Sequence, residues 1–251
     1  MSRIGFIGTG HIAAPMVRFL ASQGHEVTVS ERGADVAADL AASVGAKIAS
    51  NQGVVDSCDI IFLCLRPAVW EEVTTPLTFR ADQQIISVMS GPSLAELSSA
   101  VVPATDISIT IPIGFLERGG CPLPAFPKSE PLANLFSPEN PVIELREESQ
   151  IADYFAASAL LSSVLTIMKD GADWLGAQTG NPVCADTYVA SLVAGFMRDV
   201  PKDGQGRILD ARSALASPNT LNRAVVDAME AADTKATIVQ IMQILSERVK
   251  G

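Results

Sequence analysis

The opening of the chain constrains its fold most. Arg3–Gly8 is a short apolar run, and Gly8-Thr9-Gly10-His11-Ile12-Ala13 continues it as G-x-G-x-x-A. The run predicts a strand. His11–Ser22, with Ile12, Met16, Phe19 and Leu20 at helical spacing and Gly24 placed to end it, predicts a helix. At such a strand-to-helix turn Gly8 permits the tight bend, Gly10 lets the backbone approach a pyrophosphate, and Ala13 lets the helix pack closely on the strand. The anion then sits at a helix N-terminus, facing free N–H groups and the positive end of the helix dipole. Thr9, His11 and Ile12 complete the loop that would hold it.

Short β-branched runs keep alternating with stretches of helical period as far as Leu145, as in βαβ units with a parallel sheet. Strands are predicted at Glu26–Ser30, Lys47–Ala49, Asp59–Leu65, Gln84–Met89, Asp106–Ile111 and Val142–Leu145. The second of these leads into Glu31, about 20 residues past Gly10, where a carboxylate accepts both ribose hydroxyls of an adenosine. Arg32 beside it would suit a 2′-phosphate, so NAD and NADP both stay open. Pro112–Pro141, rich in proline and carrying Gly119-Gly120, reads as a partly ordered surface loop. Beyond Glu147 no strand signal remains, and 149–179, 182–200, 206–215 and 219–249 read as helices. The expected fold is α/β: a Rossmann-type, doubly wound, mostly parallel sheet over residues 1–148, followed by an all-helical domain over 149–251.

Composition narrows the partners. The 251 residues are 48% hydrophobic and carry a net charge of −10, too apolar for disorder and without a basic face for nucleic acid or an acidic membrane. Cys58, Cys64, Cys121 and Cys184 show no C-x-x-C spacing, and their bland reading is buried thiols in a reducing compartment. His11 and His25 are the only histidines, so neither a metal centre nor a Ser-His-Asp arrangement is expected. With no signal-peptide pattern and no apolar run approaching about 20 residues, a soluble, cytoplasmic protein is expected.

Several blocks, in order along the chain, resemble the pyrroline-5-carboxylate reductase family. Gly5-Phe6-Ile7-Gly8-Thr9-Gly10-His11-Ile12-Ala13 is similar to its opening strand and cradle, with His11 where asparagine is common. Ser50-Asn51 followed by Cys58-Asp59-Ile60-Ile61-Phe62-Leu63-Cys64-Leu65-Arg66-Pro67 is similar to its N…A-D-V-x-x-L-A-V-K-P stretch, with Arg66 for lysine. The stretch from Ser87 to Leu97 resembles its A-A-G-V block and following helix, and Ala216-Ser217-Pro218-Asn219-Thr220 its T-S-P-G-G. The resemblance implies a Rossmann domain, a helical domain that interlocks with its twin, and hydride transfer from NAD(P)H to a cyclic imine. It adds Asn51, Cys64, Leu65, Arg66 and Pro67 to the cofactor-binding residues. It also implies catalytic roles for Thr220 and for Asn222, which stands where a threonine meets the substrate's ring nitrogen. The chain departs from the family at Pro112-Ile113-Gly114-Phe115, in place of P-N-T-P, and at Ala157-Ser158-Ala159-Leu160-Leu161, in place of S-G-S-G-P.

A second resemblance, to the β-hydroxyacid dehydrogenases, rests on the opening block and on Gly24-His25-Glu26-Val27-Thr28-Val29, and makes Lys169 a candidate catalytic lysine. A third reading is a dinucleotide-binding protein without turnover.

Reducing an imine needs a positioned hydride donor, a proton, and a hold on the substrate's carboxylate. The turn Ser217-Pro218-Asn219-Thr220, opening a helix over Leu221–Glu230, offers N–H groups for that carboxylate, or serves as an N-cap through Ser217 or Asn219. Asn222 can hydrogen-bond a substrate but has no usable pKa, which leaves the proton to water. Arg66, just past a buried strand, lies at the sheet edge where ligands collect. Trp70 and Trp174 read as core or interface. The helical half is richer in Ala, Leu, Ile and Val than isolated helices can hide, so a homodimer acting on a small-molecule carboxylate is expected.

Overall fold

The computed structural model describes residues 2–250. Its eight strands are β1 (Arg3–Ile7), β2 (Glu26–Ser30), β3 (Lys47–Ala49), β4 (Ile60–Leu63), β5 (Gln84–Ser87), β6 (Asp106–Thr110), β7 (Leu123–Phe126) and β8 (Val142–Glu144). They form one sheet in the order β3-β2-β1-β4-β5-β6-β7-β8, and all neighbours run parallel except β6 and β7. The crossovers carry α1 (Ala13–Ser22), α2 (Ala34–Val44) and the short α3 (Asn51–Ser57), α4 (Trp70–Thr74) and α5 (Leu94–Ala100). The chain builds outward from β1 to β3 and returns to place β4 on the other side of β1. That reversal opens a crevice at the carboxyl ends of the strands, where ligands of doubly wound folds bind.

The central strands are buried on both faces, so their side chains alternate between two cores instead of between core and water. Ile4, Phe6, Ile60 and Phe62 join Met16 and Leu20 of α1 in one core. Ile7, Ile61, Leu63 and Ile85 join Val54 and Trp70 in the other. Phe6 stacks on Phe62 with ring centroids 4.8 Å apart, tying β1 to β4. Trp70 is therefore core, as expected. α1 ends as the sequence predicts, with Gly24 at φ +83° and its N–H donating to the Ala21 carbonyl.

Pro112–Pro141 is not a surface loop. It folds as a 3-10 turn over Gly114–Arg118, then β7, then α6 (Glu130–Phe136), and Leu116, Leu123, Leu132 and Phe136 are fully buried in the first core. Phe136 stacks on Phe19 at 5.5 Å and meets Phe62 edge-on at 6.2 Å. The prolines are compatible with order here: Pro131 occupies the first turn of α6 behind the Ser129 cap, where its missing N–H costs nothing. Buried Asn140 holds the segment by donating from Nδ2 to the Leu116 carbonyl and accepting from the Cys121 N–H.

The remaining elements are α7 (Gln150–Ser158), α8 (Leu160–Thr179), α9 (Pro182–Asp199), α10 (Arg207–Leu215), α11 (Leu221–Ala231) and α12 (Thr234–Lys250). The helices expected over 149–179 and 219–249 each break once, the second at Asp233 with φ +50°. The chain divides into two compact units, one taking in the chain as far as Phe155 together with the last residues from Glu247, the other Ala156–Ser246. Within the second unit the buried residues are mostly small, such as Ala172, Gly176 and Ala185, while Leu165, Ile167, Trp174 and Val183 are exposed. Trp174 is thus not core within the chain. All four cysteines are free, and Cys184 is exposed, against the expectation of a buried thiol. The run Gln150–Thr179 also corrects the sequence reading. Its length and composition suffice to cross a membrane, with a mean hydropathy of 1.6 in its most apolar window and 11% of that window buried. Alanines and serines among its leucines mask that apolarity in the sequence.

Candidate functional site

At the end of β1 the two glycines of the first turn meet different surroundings. Gly8 has φ +93°, and a Cβ there would lie 2.4 Å from the Cys64 carbonyl oxygen. Only glycine fits. A Cβ at Gly10 would meet nothing within 4 Å. Gly10 opens α1, whose first position is preceded by Ile12 with no side-chain cap and whose first turn holds no acidic residue. Ala13 is fully buried against the strand, while His11 and Ile12 are exposed beside the turn. An uncapped helix terminus next to the open backbone at Gly10 fits the pyrophosphate of a dinucleotide.

The end of β2 is clamped to this cradle. Gly8 N–H donates to Ser30 Oγ at 2.9 Å, and Thr9 Oγ1 donates to the Ser30 carbonyl at 2.8 Å. Gly33, at φ +87°, returns so close that a Cβ there would lie 2.3 Å from the Thr9 carbonyl oxygen. Glu31 and Arg32 lie between these two contacts with exposed side chains. The Glu31 N–H donates to the Ala49 carbonyl at 3.0 Å, and beyond Ala49 the chain passes Ser50, which caps α3, into half-buried Asn51.

Past β4, Cys64 N–H donates to the Ile7 carbonyl at 2.8 Å, and burial pushes the Cys64 thiol well above its usual range, so it stays protonated. Leu65 is buried, and Arg66 and Pro67 are exposed in the turn leading to α4. The loop after β5 reaches Pro67, whose Cβ would be 3.7 Å from a Cβ at Gly91. The expected cofactor residues from Gly8 to Pro67 therefore gather at the carboxyl edge of β1, β2, β3 and β4. Further along that edge lies a cavity of about 400 Å³ lined by Ser90, Gly91, Ile109, Ile111 and Phe155. None of the site residues expected from sequence lines it. Its signal was the Ser87–Leu97 block, whose one charged side chain, Glu96, is bonded to Ser93 at the helix cap. At the end of β6, buried Thr110 Oγ1 has no hydrogen-bond partner among the described residues.

Thr220 and Asn222 belong to the other unit. Thr220, not Ser217 or Asn219, caps α11: its hydroxyl accepts from the Arg223 N–H at 3.2 Å and donates to the Ser217 carbonyl at 2.8 Å. Asn219 instead makes the turn, at φ +65°. The exposed Asn222 side chain donates from Nδ2 to the Leu215 carbonyl at 3.4 Å. Lys169 is exposed on α8, and its hydrogen bond to Asp173 raises its pKa and holds its proton. No cluster of three or more metal-ligating side chains occurs among the described residues.

A doubly wound sheet with an open glycine turn after its first strand and a carboxylate after its second has the architecture of a Rossmann-type dinucleotide-binding domain. The family model described as NADP oxidoreductase, coenzyme F420-dependent, matches residues 3–91. Over nearly its whole length the chain is similar to pyrroline-5-carboxylate reductases. It is 23% identical to pyrroline-5-carboxylate reductase of Pseudomonas aeruginosa over 265 aligned positions, covering 98% of this chain and 95% of that protein. The pyrroline-5-carboxylate reductase of Coxiella burnetii shares its fold with a TM-score of 0.84 at 19% identity, over 99% of this chain and 97% of that one. Pyrroline carboxylate reductase of Plasmodium falciparum, a structure with NADP bound, gives 0.82 at 15% identity over 99% and 97%.

Proposed function

We propose that the protein reduces a small carboxylated imine with NAD(P)H, as the names of its relatives suggest, and that it works as a cytoplasmic homodimer. The observation that carries the dinucleotide part is the contrast between Gly8, which the fold itself requires, and Gly10, which it does not. A glycine kept open at the start of an uncapped helix has a use when a phosphate approaches it.

When bound, the dinucleotide supplies the hydride. The protein's part is to hold and orient. Gly8, Thr9, Gly10, His11, Ile12 and Ala13 shape the pyrophosphate loop, Glu31 and Arg32 face the adenosine ribose, and Asn51, Cys64, Leu65, Arg66 and Pro67 follow the crevice toward the nicotinamide. Residues 1–148 are then the cofactor domain, and 149–251 the dimerisation and substrate domain. At the substrate end the first turn of α11 offers N–H groups to a carboxylate. Asn222, with Nδ2 committed to Leu215, presents Oδ1 to a protonated ring nitrogen. Neither Thr220 nor Asn222 titrates near neutrality, so the proton comes from solvent. Lys169, charged and paired at the surface, lends no support to the hydroxyacid reading. Four free cysteines suit a reducing compartment, and the net charge of −10 suits neither nucleic acid nor an anionic membrane.

The test is NAD(P)H oxidation across a panel of cyclic imines and keto acids. Oxidation with a carboxylated imine is expected. Turnover confined to keto acids would favour a dehydrogenase, and cofactor binding without turnover on any compound would favour a dinucleotide-binding protein that has lost chemistry.

A further inference from the structure

We infer that this chain selects NADH over NADPH, through Glu31 and the lack of any second cation at the corner between β2 and α2. The inference rests on the dinucleotide reading above. Because Ser30 is bonded to Gly8 and Thr9, and Gly33 packs on the Thr9 carbonyl, the Glu31-Arg32 pair is pinned on both sides to the pyrophosphate loop. Its freedom to swing away from an adenosine ribose is small. Glu31 continues the β2–β3 ladder through its N–H to Ala49, so its backbone is fixed as well.

A ribose with two free hydroxyls offers two donors to that carboxylate, whereas a 2′-phosphate brings like charge against it. Accommodating the phosphate needs cations or donors to outweigh Glu31, and the corner has few. Arg32 is exposed and without an ion pair among the described residues, and it is the one cation there. Gly33 contributes no side chain and cannot be replaced by one that would, given its φ and its contact with Thr9. The first turn of α2 adds Asp35, a second carboxylate. The neighbouring end of β3 supplies only Ser50, already capping α3, and Asn51. The nearby basic residues are occupied elsewhere: Lys47, at the far end of β3, pairs with Glu26, and Arg18 pairs with Asp39 and Glu117. Two carboxylates against one guanidinium favour the cofactor without the extra phosphate.

Fluorescence titration of the full-length protein with NADH and with NADPH tests this without any substrate. NADH is expected to bind about ten-fold tighter or better. Glu31→Gln removes the charge at nearly constant shape, so it should loosen NADH, tighten NADPH and shrink their ratio several-fold. Equal or tighter binding of NADPH by the wild type overturns the inference, as does an unchanged ratio in E31Q. If the wild type binds neither dinucleotide, the cofactor reading itself fails with it.

Discussion

At Gly8 the backbone adopts φ +93° against the Cys64 carbonyl, and two residues later Gly10 faces open space in an ordinary conformation. The same amino acid is thus present for two different reasons, and substitution separates them. Gly8→Ala places a methyl group 2.4 Å from a backbone oxygen in a left-handed conformation, and it should cost about 2 kcal/mol or more of stability. Gly10→Val places its Cβ with no protein atom within 4 Å, so its thermal midpoint should stay close to wild type while dinucleotide affinity falls at least about ten-fold. Paired thermal melts and fluorescence titrations decide the matter. A Gly10→Val protein that binds NAD(P)H as well as wild type would remove the cradle from the argument. Arg66 and Pro67 show how far residue-level reading reaches: both lie in the exposed turn after β4, beside the loop that carries Gly91.

Among the elements, α11 is the one to which the substrate has been assigned. Thr220 satisfies the N–H of Arg223, three residues into the motif, and leaves the two N–H groups before it without a side-chain cap, where a carboxylate would gain from the helix dipole. Asn222→Ala removes one hydrogen bond to a protonated ring nitrogen, worth about 1.5–3 kcal/mol, so catalytic efficiency should fall about ten-fold or more with cofactor affinity unchanged. Steady-state kinetics on whichever imine the panel finds, beside an NAD(P)H titration, give both readouts. Unaltered kinetics would move the substrate away from α11. The segment with β7 and α6 makes a separate point about elements. It supplies Phe136, which touches rings from α1 and β4, so it belongs to the core that positions the cradle.

For the whole molecule the question is what covers the helical unit. Large apolar side chains are exposed on each of its main helices, among them Trp174 at 65%, Val183 at 75%, Ile208 at 78% and Leu221 at 89%. So many exposed large apolar side chains in one unit suit an interaction surface. The occupant proposed for it is a second copy of this chain. A membrane suits it less, because Lys169, Asp170, Asp173 and Asp186 are interleaved with the apolar positions on α8 and α9. Light scattering at micromolar concentration should therefore give twice the formula mass of 26.4 kDa. A stable monomer would leave the helical unit's apolar faces unexplained and weaken the substrate assignment on α11 with it.

By itself the amino-acid sequence determined what depends on neighbours along the chain. The short apolar runs of β1 to β6, the G-x-G-x-x-A turn, the carboxylate after β2 and the Gly24 helix stop are all set by local backbone preference and by which faces are apolar. Tertiary structure decided what depends on distant partners. β7 contains Pro124, is only Leu123–Phe126 long, and exists because β6 and β8 pair with it from either side. The α11 cap fell to Thr220 because Asn219 was needed for the left-handed turn before it. The clamp of Ser30 and Gly33 on Thr9 likewise joins residues about 20 apart that no local pattern pairs, and it holds Glu31 and Arg32 beside the first turn. Long-range pairing and close packing are settled only when the whole chain has folded, since their free energy comes from contacts that periodicity cannot see.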